Sequence, residues 1–85
     1  MAIVLLPSVL AAEAGGSKRF EVDAPTAGAV LRALPIANLV FDEHGELRPL
    51  VNVYVDGTDV RHGDGLETPV RSDSQVRVVA AIAGG

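Results

Sequence analysis

Eighty-five residues, 48% of them hydrophobic, suffice for one domain around one core, and the lack of cysteine excludes a disulfide framework, a thiolate zinc site or a cysteine nucleophile. Only Phe20, Phe41 and Tyr54 are aromatic, so the core has to be built from Val, Leu, Ile and Ala. Seven Lys and Arg against eleven Asp and Glu give a net charge of −4, and no basic run exceeds Lys18-Arg19; this argues against nucleic acid and anionic membranes as partners and predicts docking to a basic patch on another protein.

The first fourteen residues are apolar enough to imitate a signal peptide. No Lys or Arg precedes Lys18, however, and Pro7 interrupts a run already too short to span a bilayer. The chain is therefore expected in the cytoplasm. Ile3 to Leu6, apolar at every position, predicts a strand covered on both faces, one by the core and the other by solvent or a partner. Ala11 to Gly16 predicts a loop with two permissive glycines. Ser17 to Val22 alternates, with Phe20 and Val22 inward and Arg19 and Glu21 outward, so the two strands read as a hairpin.

Asp23-Ala24-Pro25-Thr26 is a helix-start cluster with Thr26 as the expected N-cap. Ala27, Val30, Leu31 and Leu34 then fall at i, i+3, i+4, i+7 and predict a short amphipathic helix over Ala27–Leu34. Pro35 ends it. Pro35 to Phe41 reads as an irregular or single-turn segment that carries Ile36, Leu39, Val40 and Phe41 into the core. After a polar turn at Asp42 to Glu46 comes a strong strand, Leu50 to Val55, with Val51, Val53 and Val55 on one face. Asp56-Gly57 is a hairpin dipeptide leading to a short strand around Thr58 to Arg61. His62-Gly63-Asp64-Gly65 breaks the chain, and Leu66 to Ser74 is connector and turn.

The last strand, Gln75 to Ala81, alternates again, with Val76, Val78 and Ala80 on one side. Ile82, Ala83, Gly84 and Gly85 follow. Two residues without side chains can enter a narrow channel, and they leave a terminal carboxyl group sterically open. The segment 82–85 is expected to be mobile in the free protein.

One helix must cover one face of the sheet, and the first and last strands, the most apolar, belong side by side in its centre, running parallel. The expected fold is therefore α+β, a single β-grasp (ubiquitin-like) domain over residues 1–85. Its mixed sheet has four to five strands and one main helix on one face. The other face is expected to be an exposed apolar patch that binds a partner. No other cluster promises chemistry. His44 beside Asp42, Glu43 and Glu46, and His62 near Asp64, fit turn polarity better than a metal site. No serine has a triad-like histidine nearby, and no glycine-rich nucleotide motif is present.

Several stretches resemble the ThiS/MoaD family of small sulfur carriers, and within it the CysO type of cysteine biosynthesis. They are Leu6-Pro7-Ser8-Val9-Leu10, Gly15-Gly16, Gly45-Glu46-Leu47-Arg48, Val51-Asn52-Val53-Tyr54-Val55, Asp59-Val60-Arg61, Gly65-Leu66-Glu67-Thr68 and Ala83-Gly84-Gly85. The chain departs from the family in its short helix and in Ala80, where a proline often precedes the tail. The resemblance implies that Gly85 is the working residue, with Ile82, Ala83 and Gly84 threading into a partner. An E1-like enzyme would adenylate the Gly85 carboxylate with ATP, and a sulfur donor would convert it to a thiocarboxylate. No bound cofactor, metal or catalytic residue of its own is implied. The implied partners are that E1-like adenylyltransferase/sulfurtransferase, a sulfur-accepting synthase such as a cysteine-synthase-like enzyme, and a JAMM-type metalloprotease. Two other readings stay open: the small subunit of molybdopterin synthase, and a ubiquitin-like modifier or interaction module.

Overall fold

Alternation in the strands decides the architecture. In the computed structural model, which describes residues 1–80, Val4, Val53, Val76 and Val78 are all at most 2% exposed and line one face of a five-stranded sheet. The strands are β1 (Ala2–Leu5), β2 (Arg19–Val22), β3 (Val51–Val55), β4 (Thr58–Asp59) and β5 (Gln75–Ala80), in the order β2-β1-β5-β3-β4. β1 lies parallel to β5 from Ile3↔Gln75 to Leu5↔Arg77, as expected of the first and last strands. β5 also pairs antiparallel with β3 from Val55↔Val76 to Val51↔Ala80, so it occupies the middle of the sheet. β1 and β2 pair antiparallel, Ala2↔Val22 through Leu5↔Arg19.

The β3–β4 turn follows from its two residues. Asp56 and Gly57 both have positive φ, 49° and 88°, as a two-residue hairpin turn demands. Asp56 also fastens the turn to the start of β5. Its N–H donates to the Gln75 carbonyl at 2.9 Å, and its carboxylate accepts the Gln75 N–H at 2.9 Å.

The buried face is covered by α1 (Ser8–Glu13), α2 (Ala27–Arg32) and α3 (Ala37–Val40). Leu10, Ala11, Ala27, Val30, Leu31 and Val40 from these helices join the strand valines in one core. Thr26 caps α2 as expected, its hydroxyl accepting the Ala29 N–H at 3.2 Å. Thr26→Ala should therefore cost about 1 kcal/mol, read as a lower denaturant midpoint with unchanged m-value.

Several expectations need correction. Ala11 to Gly16 is not simply a loop, because Ser8–Glu13 is helical and the β1–β2 connection is a helical excursion rather than a tight turn. Burying Leu10 and Ala11 against the core favours that helix, and Ala11, Ala12 and Glu13 all have good helix propensity. α2 stops at Arg32, and the predicted last turn survives only as tightened bonds, Ala33 N–H to Val30 O and Leu34 N–H to Leu31 O. Pro35 prevents regular continuation, so the helix closes 3₁₀-fashion. The predicted strand at Thr58 to Arg61 shrinks to Thr58–Asp59 and passes into a 3₁₀ turn at Val60–His62, since the Asp59 carboxylate caps the Arg61 N–H at 2.9 Å. β2 begins at Arg19 rather than Ser17, and β3 at Val51 rather than Leu50.

Gly28 plays a part its composition does not advertise. It is buried where α2 crosses the 3₁₀ turn Gly65–Glu67, and a Cβ there would lie 3.1 Å from both the Cβ and the carbonyl oxygen of Leu66. Gly28→Ala gains helix propensity of about 1 kcal/mol but overpacks a close contact, at about 1–3 kcal/mol. A net loss of about 1 kcal/mol is expected on chemical denaturation. A raised midpoint would show that the Leu66 turn yields.

Candidate functional site

The expected site, Gly85 with Ile82, Ala83 and Gly84, lies outside the described residues, as does the expectation that 82–85 is mobile. What the structure describes is the root from which that segment leaves. β5 outruns one of its neighbours. Pairing with β1 ends at Leu5↔Arg77, whereas pairing with β3 continues to Ala80. β1 stops there because Leu6 turns aside, donating its N–H to the Lys18 carbonyl at 2.8 Å, and Pro7 then leads into α1.

Two clefts flank the end of β5. On the sheet's open face a cleft of about 320 Å³ is bounded by Leu5, Pro7, Lys18, Arg77 and Val79. On the helical face a groove of about 400 Å³ is formed by Val9 and Leu10 of α1, Leu39 of α3, Val51 of β3 and Ala80, with Glu13 and Arg48 at its rim. Among the described residues the large exposed hydrophobics are Met1, Val9, Leu50 and Val79. The last three gather at this end, since Val9 lines the groove, Leu50 precedes Val51, and Val79 precedes Ala80.

The charge here reverses the expectation drawn from the whole chain. Among the described residues, Lys18, Arg77 and Arg48 border the two clefts against a single acidic side chain, Glu13. Net charge is a sum and carries no position, so an acidic chain presents a cationic rim where its tail emerges. The open face is likewise not the continuous apolar patch expected. Ile3, Leu5 and Tyr54 are only half-buried there, but Arg19 pairs with Glu21 at 3.1 Å beside them. Asn52 on the same face accepts a 2.6 Å hydrogen bond from the Arg61 guanidinium, which also reaches the Arg48 carbonyl at 2.9 Å.

The histidine clusters have turn geometry. Asp42 accepts the N–H groups of His44 at 2.8 Å and Glu46 at 3.0 Å. The Glu46 N–H is the main cause that holds the Asp42 carboxyl below its ordinary range, with His44 adding to it. A lowered folded value means that this loop's support is present above the unfolded carboxylate range and is lost as pH falls through the folded one. Among the described residues no three His, Asp or Glu side chains stand together where a metal ion would be held. Among them, too, no helix is long and apolar enough to cross a membrane.

A mixed sheet with its parallel pair in the centre, helices on one face and the C-terminal strand in the middle defines a β-grasp, ubiquitin-like protein. The chain belongs to the ThiS family, whose model matches residues 4–85. It is similar to the sulfur carrier protein CysO of Mycobacterium tuberculosis, at 34% identity over 96% of each chain. Among solved structures it is similar to the Amycolatopsis orientalis BexX/CysO complex, with a TM-score of 0.87 at 30% identity over the whole of both chains. It also resembles small archaeal modifier protein 1 of Methanosarcina acetivorans, with a TM-score of 0.80 at 25% identity over 99% and 95% of the two chains.

Proposed function

We propose that the chain is a sulfur carrier whose C-terminal Gly85 is loaded and unloaded by partner enzymes in the cytoplasm. The observation that carries this reading is the placement of β5, a central strand that outruns β1 and that in sequence precedes Ala83-Gly84-Gly85 by two residues. The full-length likeness to carriers of the CysO type supports it.

The chemistry follows from the group. A carboxylate is a poor electrophile, so an E1-like partner first joins it to the AMP portion of ATP, releasing pyrophosphate. A sulfide equivalent from the donor then attacks the acyl carbon. The C–S bond forms, the bond to AMP breaks, and a thiocarboxylate remains. It is anionic at neutral pH, so it is a sulfur nucleophile that needs no general base. A cysteine-synthase-like enzyme would accept it, and a JAMM-type metalloprotease would release the product from the carrier. The domain's own contribution is docking, which holds the tail's end against a partner's reacting atoms and lowers the entropic cost of each step.

Intact mass tests this. With ATP, an E1-like enzyme and a sulfur donor, the protein should gain the mass of one oxygen replaced by sulfur. Unchanged mass with an enzyme that loads other carriers would overturn the proposal. The likeness to an archaeal modifier protein favours one second reading, conjugation of Gly85 to lysine amines. Isopeptide-linked adducts without the sulfur shift would select it.

A further inference from the structure

We propose that Asp64 is a site of spontaneous isoaspartate formation, and that the fold directs this chemistry to Asp64 while protecting the chain's other Asp-Gly pair. Succinimide closure needs the backbone nitrogen of the following residue to reach the aspartate Cγ, and glycine, with no side chain, obstructs that approach least. Glycine follows aspartate twice, at Asp56-Gly57 and Asp64-Gly65, whereas Asp23, Asp42, Asp59 and Asp73 precede Ala, Glu, Val and Ser. The two pairs are held differently. Asp56, in the β3–β4 turn, has both its N–H and its carboxylate tied to Gln75, the first donating to the carbonyl and the second accepting the N–H, each at 2.9 Å. Swinging its Cγ towards the Gly57 nitrogen breaks the second of these bonds. Asp64 stands exposed between Gly63 and Gly65, and its side chain makes no capping bond to the 3₁₀ turn Gly65–Glu67 that it precedes. Glycine on either side leaves the backbone there free to turn.

The Gly65 nitrogen attacks Cγ of the protonated Asp64 carboxyl group. The C–N bond forms, the C–OH bond breaks, and the hydroxyl leaves as water with the amide proton. Water then opens the five-membered ring. Attack at the main-chain carbonyl carbon breaks its bond to nitrogen and leaves the chain running through Cγ. One water is lost and one is gained, so the step needs no oxidant, reductant or cofactor. The isomer lengthens the main chain by one carbon directly before the 3₁₀ turn. In that turn Leu66 meets Gly28, and the Thr68 carbonyl beyond it accepts the Ala27 N–H at 2.9 Å. The 3.1 Å bond from the Glu67 N–H to the Asp64 carbonyl spans the altered linkage. Isomerisation is therefore felt in α2 as well as in the turn.

The test is ageing of the full folded chain in mildly acidic buffer, followed by trypsin digestion and electron-transfer fragmentation. The peptide His62–Arg71 holds Asp64 as its one aspartate and should split into two species of equal mass, with fragments that mark isoaspartate at Asp64. Asp56 should stay unmodified over the same period, yet react alongside Asp64 when the chain is aged in denaturant. The Ala27 and Gly28 amide resonances should shift in the aged protein. They should not shift in aged Asp64→Glu, whose longer side chain closes the corresponding ring far more slowly. Isoaspartate forming at Asp56 as fast as at Asp64 in the folded chain would overturn the proposal. So would a His62–Arg71 peptide that remains a single species after ageing.

Discussion

Under the proposed carrier role, removing Gly85 is expected to abolish thiocarboxylate formation while leaving the folded domain intact. Deletion draws the carboxyl group back by about 3.5 Å along an extended chain, and a misplacement of even 1 Å from the reacting atoms can cost on the order of 10²-fold in rate. Gly84→Val is expected to have the same outcome for another reason. A branched side chain would clash in a proposed partner channel that admits only bare backbone close to ATP. The buried hydrophobic residues among those described run from Ala2 to Val78, and neither change alters one of them. His44→Ala and His62→Ala, at exposed turn positions, should leave the rate nearly unchanged. The readout is intact mass after incubation with ATP, the E1-like enzyme and a sulfur donor. Full activity from the shortened chain, or loss of activity on His62→Ala with the fold preserved, would be incompatible with the carrier assignment.

Leu31→Ala is the largest expected stability loss. Leu31 is fully buried in the last turn of α2, within the core that joins the helices to the strand valines. Truncating a leucine there costs about 2–5 kcal/mol, from lost transfer energy and the cavity left behind. Domains of this kind are stable by only about 5–15 kcal/mol, and each kcal/mol moves the melting midpoint of so small a protein by about 4–8 °C. Chemical denaturation should show the loss with little change in slope. Carrier activity at a temperature where the variant remains folded should be preserved, which separates this substitution from those in the tail.

The parts of the fold legible in the sequence are those where local chemistry and tertiary packing agree. Val51, Val53 and Val55, like Val76 and Val78, alternate along the chain and are buried in the sheet. Asp56-Gly57 names its own turn, and Thr26 its own cap. The first helix is not legible in this way. Gly15-Gly16 advertises a turn, while the helix-forming run from Ser8 to Glu13 depends on Leu10 and Ala11 finding the core. Gly28 gives no warning, since its partner, Leu66, is remote in the chain. The cationic rim is hidden for a similar reason, because Lys18 and Arg77 at one cleft and Arg48 at the other come to the end of β5 only when the strands are placed. The site itself rests on Gly85 and on resemblance to a family, both matters of sequence.

The position of β5 has a mechanical consequence. Under the proposed role, a partner drawing the tail into a channel would pull on the C-terminal end of this strand. Both neighbours of β5 run alongside it, with three residue pairs registered to β1 and five to β3. Tension along the strand therefore loads those hydrogen bonds together, in shear. A strand at the sheet's margin, peeled sideways, would surrender its bonds one at a time. A domain pulled by the end of β5 would thus resist unfolding better than one pulled by a marginal strand.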